Sequence, residues 1–187
     1  MVVVIFIIII IFYIISIYPR YFWYLPSIPF YPNNEHESKI VYLKTNERSF
    51  DDESFFYLTD PSVSEAFLPY TTMSRKELES LILHPKITMV LLFFKYFINR
   101  ARPWQVDKRI QKLISKTDGT PAYPAGHAFQ AYYLAIVLSR NNPELKDLYY
   151  KVAFYCDDAR VKAGIHYPSD GIFARQIVNL LVNWNIY

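Results

Sequence analysis

The first eighteen residues, MVVVIFIIIIIFYIISIY, form an apolar run broken only by Ser16. A helix that is apolar on every face has no side to offer water, so it must sit in lipid or be covered. At about 1.5 Å per residue the run rises about 27 Å, close to the roughly 30 Å hydrocarbon core of a bilayer. The stretch that follows, YPRYFWYLPSIPFYP, suits an aromatic belt at the headgroups and then a proline-broken linker. A cleavable signal peptide is the rival reading, but no lysine or arginine precedes the run and no small-x-small cleavage site follows it. Residues 1–25 are therefore expected to be an uncleaved single-pass membrane anchor.

Beyond the anchor, 52% hydrophobic residues exclude a disordered chain, and a net charge of +3 is too small to direct the protein to nucleic acid. Cys156 is the single cysteine, which excludes an intrachain disulfide and a cysteine-based metal cluster. Residues 26–60 read as a polar lead-in, with 33–60 extended or looped and Asp51, Asp52 and Glu53 as a solvated acidic patch. Residues 61–187 read as a helical domain. Ser74 and Glu77 have capping-box spacing ahead of LESLIL. Further helices are expected over Ile87–Ala101, Val106–Ser115 and Gly126–Ser139, then from Asn142-Pro143 through LKDLYYKVAFYCDDARVKA (residues 145–163), and from Pro168 to Trp184. The inner apolar stretches are shorter than a span and are interrupted by Lys95, Gln130, Lys151 and Arg175. They suit core helices of a bundle, with a multi-span protein of short helices as the alternative. The expected fold is all-α: a compact helical bundle preceded by one amino-terminal transmembrane helix.

Three polar groups stand out on these helices. Lys95 and Arg102 are seven residues apart, so a continuous helix would present both on one side. Taken alone, they read as a snorkelling lysine and a cation at a helix C-terminus. Pro124, Ala125 and Gly126 lead into a helix whose unpaired first N–H groups can receive an anion, with His127 in the first turn. In ARVKAGIHYPSD, Arg160 ends a helix that Gly164 breaks. With Pro168 in the next first turn, the Asp170 carboxylate comes back beneath His166 to take one ring proton, leaving the other nitrogen free to attack.

Together these segments read Lys95-x6-Arg102-Pro103, Pro124-x-Gly126-His127 and Arg160-x5-His166-x3-Asp170. The order and spacing resemble the type 2 phosphatidic acid phosphatase superfamily, which also holds bacterial non-specific acid phosphatases and vanadium haloperoxidases. The resemblance runs from Lys95 to Asp170. It implies the bundle fold of that superfamily and a metal-independent phosphatase without a cofactor. His166 would attack phosphorus to give a phosphohistidine, Asp170 would hold its ring, and His127 would protonate the leaving oxygen and then activate water. Lys95, Arg102, Arg160 and the Gly126 amide would bind the phosphate oxygens.

Two positions depart from the family pattern: Ala125 and Ala159 stand where serines are usual. Losing a hydroxyl at 125 removes a hydrogen bond to a charged group, worth roughly 1.5–3 kcal/mol. The anchor and the aromatic flank direct the substrate expectation to phosphomonoesters or diphosphates of lipids. The rivals are an acid phosphatase on soluble phosphoesters, a vanadate-dependent haloperoxidase, and a non-catalytic membrane-anchored scaffold that kept the fold. No histidine–carboxylate cluster has metal-ligand spacing, since His36 and His84 stand apart and Asp157-Asp158 lacks a partner motif. Those two aspartates read as a solvated helix end ahead of a supporting role beside an arginine.

Overall fold

The computed structural model describes residues 2–183, and the described residues are helical with no strand beyond one isolated bridge between Arg20 and Arg100. The expected helix end at Trp184 lies outside them. The apolar amino terminus forms α1 (Val2–Ile17), whose residues 3–13 are exposed. Its sixteen residues rise about 24 Å, and no single described helix is long and apolar enough to cross a membrane.

The segment expected to be extended is instead two helices, α2 (Asn34–Asn46) and α3 (Phe50–Thr59). The error has a physical source: the buried face of α2 is Asn34, Glu37, Ser38, Val41 and Thr45, a helical stripe that is almost entirely polar. Hydrophobic periodicity cannot register such a stripe. The acidic triplet is also more than a solvated patch. Asp52 closes a capping box with Ser49 and pairs with Lys162, while Glu53 pairs with Arg48.

A short α4 (Ser64–Phe67) leads to α5 (Arg75–Ile82), which starts at the expected Ser74–Glu77 capping box. Next, α6 (Pro85–Ile98) buries the single stripe Ile87, Leu91, Lys95 and Ile98, leaving Met89, Phe93 and Phe97 exposed. It ends at Ile98, three residues earlier than expected, and is capped by Asn99, whose φ of 50° is left-handed. Asparagine tolerates that conformation. The linker after α1 fixes this turn: Asn99 Nδ2 donates to the carbonyls of Phe22 and Leu25, and its Oδ1 accepts from the Phe22 amide.

Only Pro103–Val106 (α7) is helical where a helix over Val106–Ser115 was expected. The following residues form a strap with Ile110 and Leu113 turned inward, and the Leu113 amide donates to the Ala163 carbonyl. The strap crosses Gly164, where a Cβ would lie 2.8 Å from Ile110 Cγ2 and 3.3 Å from Lys112 Cα. With φ at +75°, position 164 requires glycine on both grounds. Contacts with the α9–α10 turn thus override local helix formation.

The centre of the molecule is α8 (Gly126–Asn141), packed against α9 (Lys146–Lys162) and α10 (Pro168–Asn183). Ala128, Ala131 and Ala135 let these helices approach closely, while Phe129, Leu134 and Leu138 fill the core with Tyr149, Ala153 and Val178.

Candidate active site

The candidate site lies where the uncapped start of α8 meets the ends of α6 and α9. Ala125 occupies the N-cap position with no side-chain acceptor, so the first amides of α8 are left for a ligand. A cavity of about 260 Å³ opens there, lined by Lys95, Arg102, Gly126, His127, Gln130 and His166, with Pro61, Leu83, Leu91 and Leu92 on its apolar side. A Cβ on residue 126 would meet only Leu91 at 3.6 Å and Lys95 at 3.7 Å, both cavity-lining side chains. Glycine at 126 therefore keeps ligand space open and is not demanded by core packing.

Five of the seven residues singled out from the sequence line this cavity, and Asp170 stands directly behind. His166 Nδ1 donates to Asp170 Oδ2 at 3.0 Å, the arrangement expected from Pro168 opening α10. Its other nitrogen is not free, contrary to expectation. Arg102 Nη1 donates to Nε2 at 3.0 Å, which fixes Nε2 as the lone-pair nitrogen. Arg102 also departs from the expected geometry. Because α6 ends at Ile98, Arg102 enters from the segment beyond the Asn99 turn, not from the same helix face as Lys95. It is held by the carbonyls of Thr120 and Ile165. Lys95 reaches the Pro121 carbonyl at 2.6 Å.

Arg160 does not line the cavity. It donates to Thr59 Oγ1 at 2.9 Å and lies over the Phe56 ring, while its buried Nε has no partner. His127 Nε2 donates to the Asp60 carbonyl at 2.9 Å, which leaves Nδ1 for a ligand. The Asp60 side chain accepts from Ser115, Thr117 and the Lys116 amide. Neither Asp60 nor Thr59 was legible in the sequence, because neither belongs to a local motif.

Burial, followed by the nearby Arg160 charge, pushes His127 down to about 3. Burial and then Arg102 and Lys95 hold His166 well below the ordinary imidazole range. Burial lifts Asp170 to about 6 against the pull of Arg100. Both imidazoles are thus neutral at pH 7 while Asp170 is mostly ionised, the state in which His166 Nε2 is a nucleophile. Among the described residues, no group of three or more His, Cys, Asp or Glu side chains is placed to hold a metal ion.

A family model described as the PAP2 superfamily matches residues 78–184, more than half of the chain. The chain belongs to the PAP2 superfamily. No curated protein matches it. PAP2 proteins are in general phosphoesterases or haloperoxidases and are often membrane-associated. The matched region contains all seven residues named above, whereas Glu37, Thr59 and Asp60 lie before it.

Asp157 and Asp158 part company. Asp158 pairs with Lys44 and Lys162, as a solvated helix end would. Asp157 is half-buried, its carboxylate turned against Gly171 with Oδ1 inaccessible and unpartnered, and desolvation lifts it to about 7.

Proposed function

We propose that the protein is a metal-independent phosphatase that hydrolyses phosphomonoesters or diphosphates of lipids through a phosphohistidine at His166. The observation that carries this reading is His166 Nε2, its lone pair facing the Arg102 guanidinium, beside a cavity lined by both residues and by the uncapped start of α8. A phosphate entering the cavity draws Arg102 from the imidazole onto its own oxygens, where Lys95 and the Gly126 amide join it. Arg160, which does not line the cavity, adds its positive charge at longer range. Nε2 then attacks phosphorus, and the bond to the leaving oxygen breaks.

Burial keeps His127 neutral at pH 7. The incoming phosphate charge favours its protonation, and Nδ1–H then goes to the leaving oxygen. In the second half, Nδ1 takes a proton from water, the water oxygen attacks phosphorus, and the phosphorus–nitrogen bond breaks to release phosphate. Asp170 balances the positive charge on His166 while it carries the phosphoryl group.

The lipid reading is supported by the leucines that line the cavity, Leu83, Leu91 and Leu92, and by the exposed apolar side of α6. Residues 1–25 would tether the protein to the bilayer that supplies the substrate. The test is to trap a labelled phosphoenzyme from lipid and water-soluble phosphates, in wild type and in His166→Ala. A phosphoenzyme in wild type alone, formed faster from the lipid and insensitive to chelators, is expected. Its absence with every ester in a folded protein overturns the reading, and preference for the soluble ester overturns the lipid part alone.

A further inference from the structure

Arg100 belongs to no motif read from the sequence, yet it is fully buried directly behind the site. Its Nη1 donates to Asp170 Oδ1 at 2.6 Å and to Ser169 Oγ at 2.7 Å. Nη2 donates to Glu37 Oε2 at 2.7 Å, and Nε to Asn34 Oδ1 at 2.8 Å. The rings of Tyr167 and Tyr31 lie 3.8 and 4.4 Å from the guanidinium carbon, closing it off. Glu37 also accepts from the Ser169 amide at 3.0 Å, so α2 is fastened to the first turn of α10. The Asp170 carboxylate is therefore divided, with Oδ1 given to Arg100 and Oδ2 to His166 and the Tyr167 amide.

We propose that Glu37 and Arg100 are positioning residues of the phosphatase reaction, setting the charge and orientation of Asp170 and thereby the tautomer of His166. The inference rests on the phosphatase reading above. It makes α2, which lies before the matched family region, part of the catalytic unit.

The arrangement distinguishes this role from simple cross-linking. Glu37 and Asp170 compete for one arginine, so their charges act on each other through it. Arg100, Arg102 and Lys95 favour the ionised form of Asp170. Glu37 opposes it, as does Asp157 from α9. His166 faces Oδ2, and burial keeps the hydroxyls of Tyr31, Tyr123 and Tyr167 neutral. Changing one member leaves the rest in place, so removing Arg100's charge and removing Glu37's charge must move Asp170 in opposite directions.

The experiment is the pH profile of kcat/KM for a water-soluble phosphomonoester, on the full chain, for wild type, Glu37→Gln, Arg100→Gln and Arg100→Lys. Substrate ionisation is common to all four. The acid limb is expected to move down in pH for Glu37→Gln and up by about one unit or more for Arg100→Gln. Arg100→Lys should stay nearer to wild type. Reduced kcat with an unmoved acid limb in both neutral variants overturns the proposal and leaves Arg100 as a structural tie. If Arg100→Gln does not fold, Glu37→Gln decides alone, and an unmoved or raised limb overturns the proposal. If wild type hydrolyses nothing, the phosphatase reading fails separately. The carboxyl carbon resonance of Asp170 and the Nδ1–H resonance of His166 still read the same opposed shifts.

Discussion

Ala125 begins α8 with a methyl group where a hydroxyl would serve both the helix and its ligand. Ala125→Ser supplies an acceptor to the first-turn amides, worth about 1 kcal/mol as an N-cap. It also supplies a donor to a bound phosphate. The variant is expected to melt at a higher temperature and to bind inorganic phosphate about ten- to a hundredfold more tightly, from the roughly 1.5–3 kcal/mol of a hydrogen bond to a charged group. Calorimetric titration checks the second effect, and unchanged affinity would mean that the hydroxyl cannot reach the anion.

The same scale explains what the sequence could reveal. Gly126 and His127, or His166 and Asp170, meet within one turn, so spacing alone implies their contact. Arg100 and Glu37 are 63 positions apart and meet only through folding. Their one sequence cue was a pair of charges too costly to bury unless paired, and a polar segment gave no reason to expect either one inside.

At the scale of elements, helices marked by apolar periodicity or by a cap were found where expected: α5, α6, α8, α9 and α10. The failures share one cause. The buried stripe of α2 is polar, and the strap after α7 has apolar residues at helical spacing that are committed to Gly164 and Ala163 instead. In both places tertiary contacts decide against the local signal. The linker after α1 gives a way to measure this dependence. Tyr21, Phe22, Leu25 and Ile28 all bond to the Ile98–Asn99 turn that delivers Arg100 and Arg102 to the site. Deleting residues 1–18 should leave hydrolysis of a soluble phosphate ester within about twofold of wild type, since residues 3–13 of α1 are exposed. Deleting residues 1–30 should lower the melting temperature and most of the activity, because the buried Asn99 side chain then loses its acceptors. Equal activity in the two truncations would show that the turn holds itself.

Across the whole molecule, two histidines and two aspartates pull the pH response of stability in opposite directions. His127 and His166 are pushed below the ordinary imidazole value, while Asp157 and Asp170 are pushed up to about 7 and about 6. Between about pH 4 and 6 the unfolded chain protonates the two histidines and the folded chain protonates the two aspartates. The histidines thus favour unfolding as pH falls and the aspartates favour the folded state, while carboxylates held below their usual range, Asp52 and Asp60 among them, add to the loss on the acid side. Asp157 is the member most simply tested, because it does not line the site cavity and its Oδ1 has no hydrogen-bond partner. Its raised pKa means that its contribution is fully present below about pH 4 and is lost as pH rises through about 7. Asp157→Asn keeps the shape against Gly171 and removes that loss. Stability of the variant should equal wild type near pH 4 and exceed it at pH 8 by at most about 4 kcal/mol, the full shift converted at 1.36 kcal/mol per unit. Melting temperatures of both proteins across that range check the sign. A variant less stable than wild type at pH 8 would mean that the charged carboxylate is held by Arg175, and that the opposition between burial and charge is resolved in favour of the ion pair.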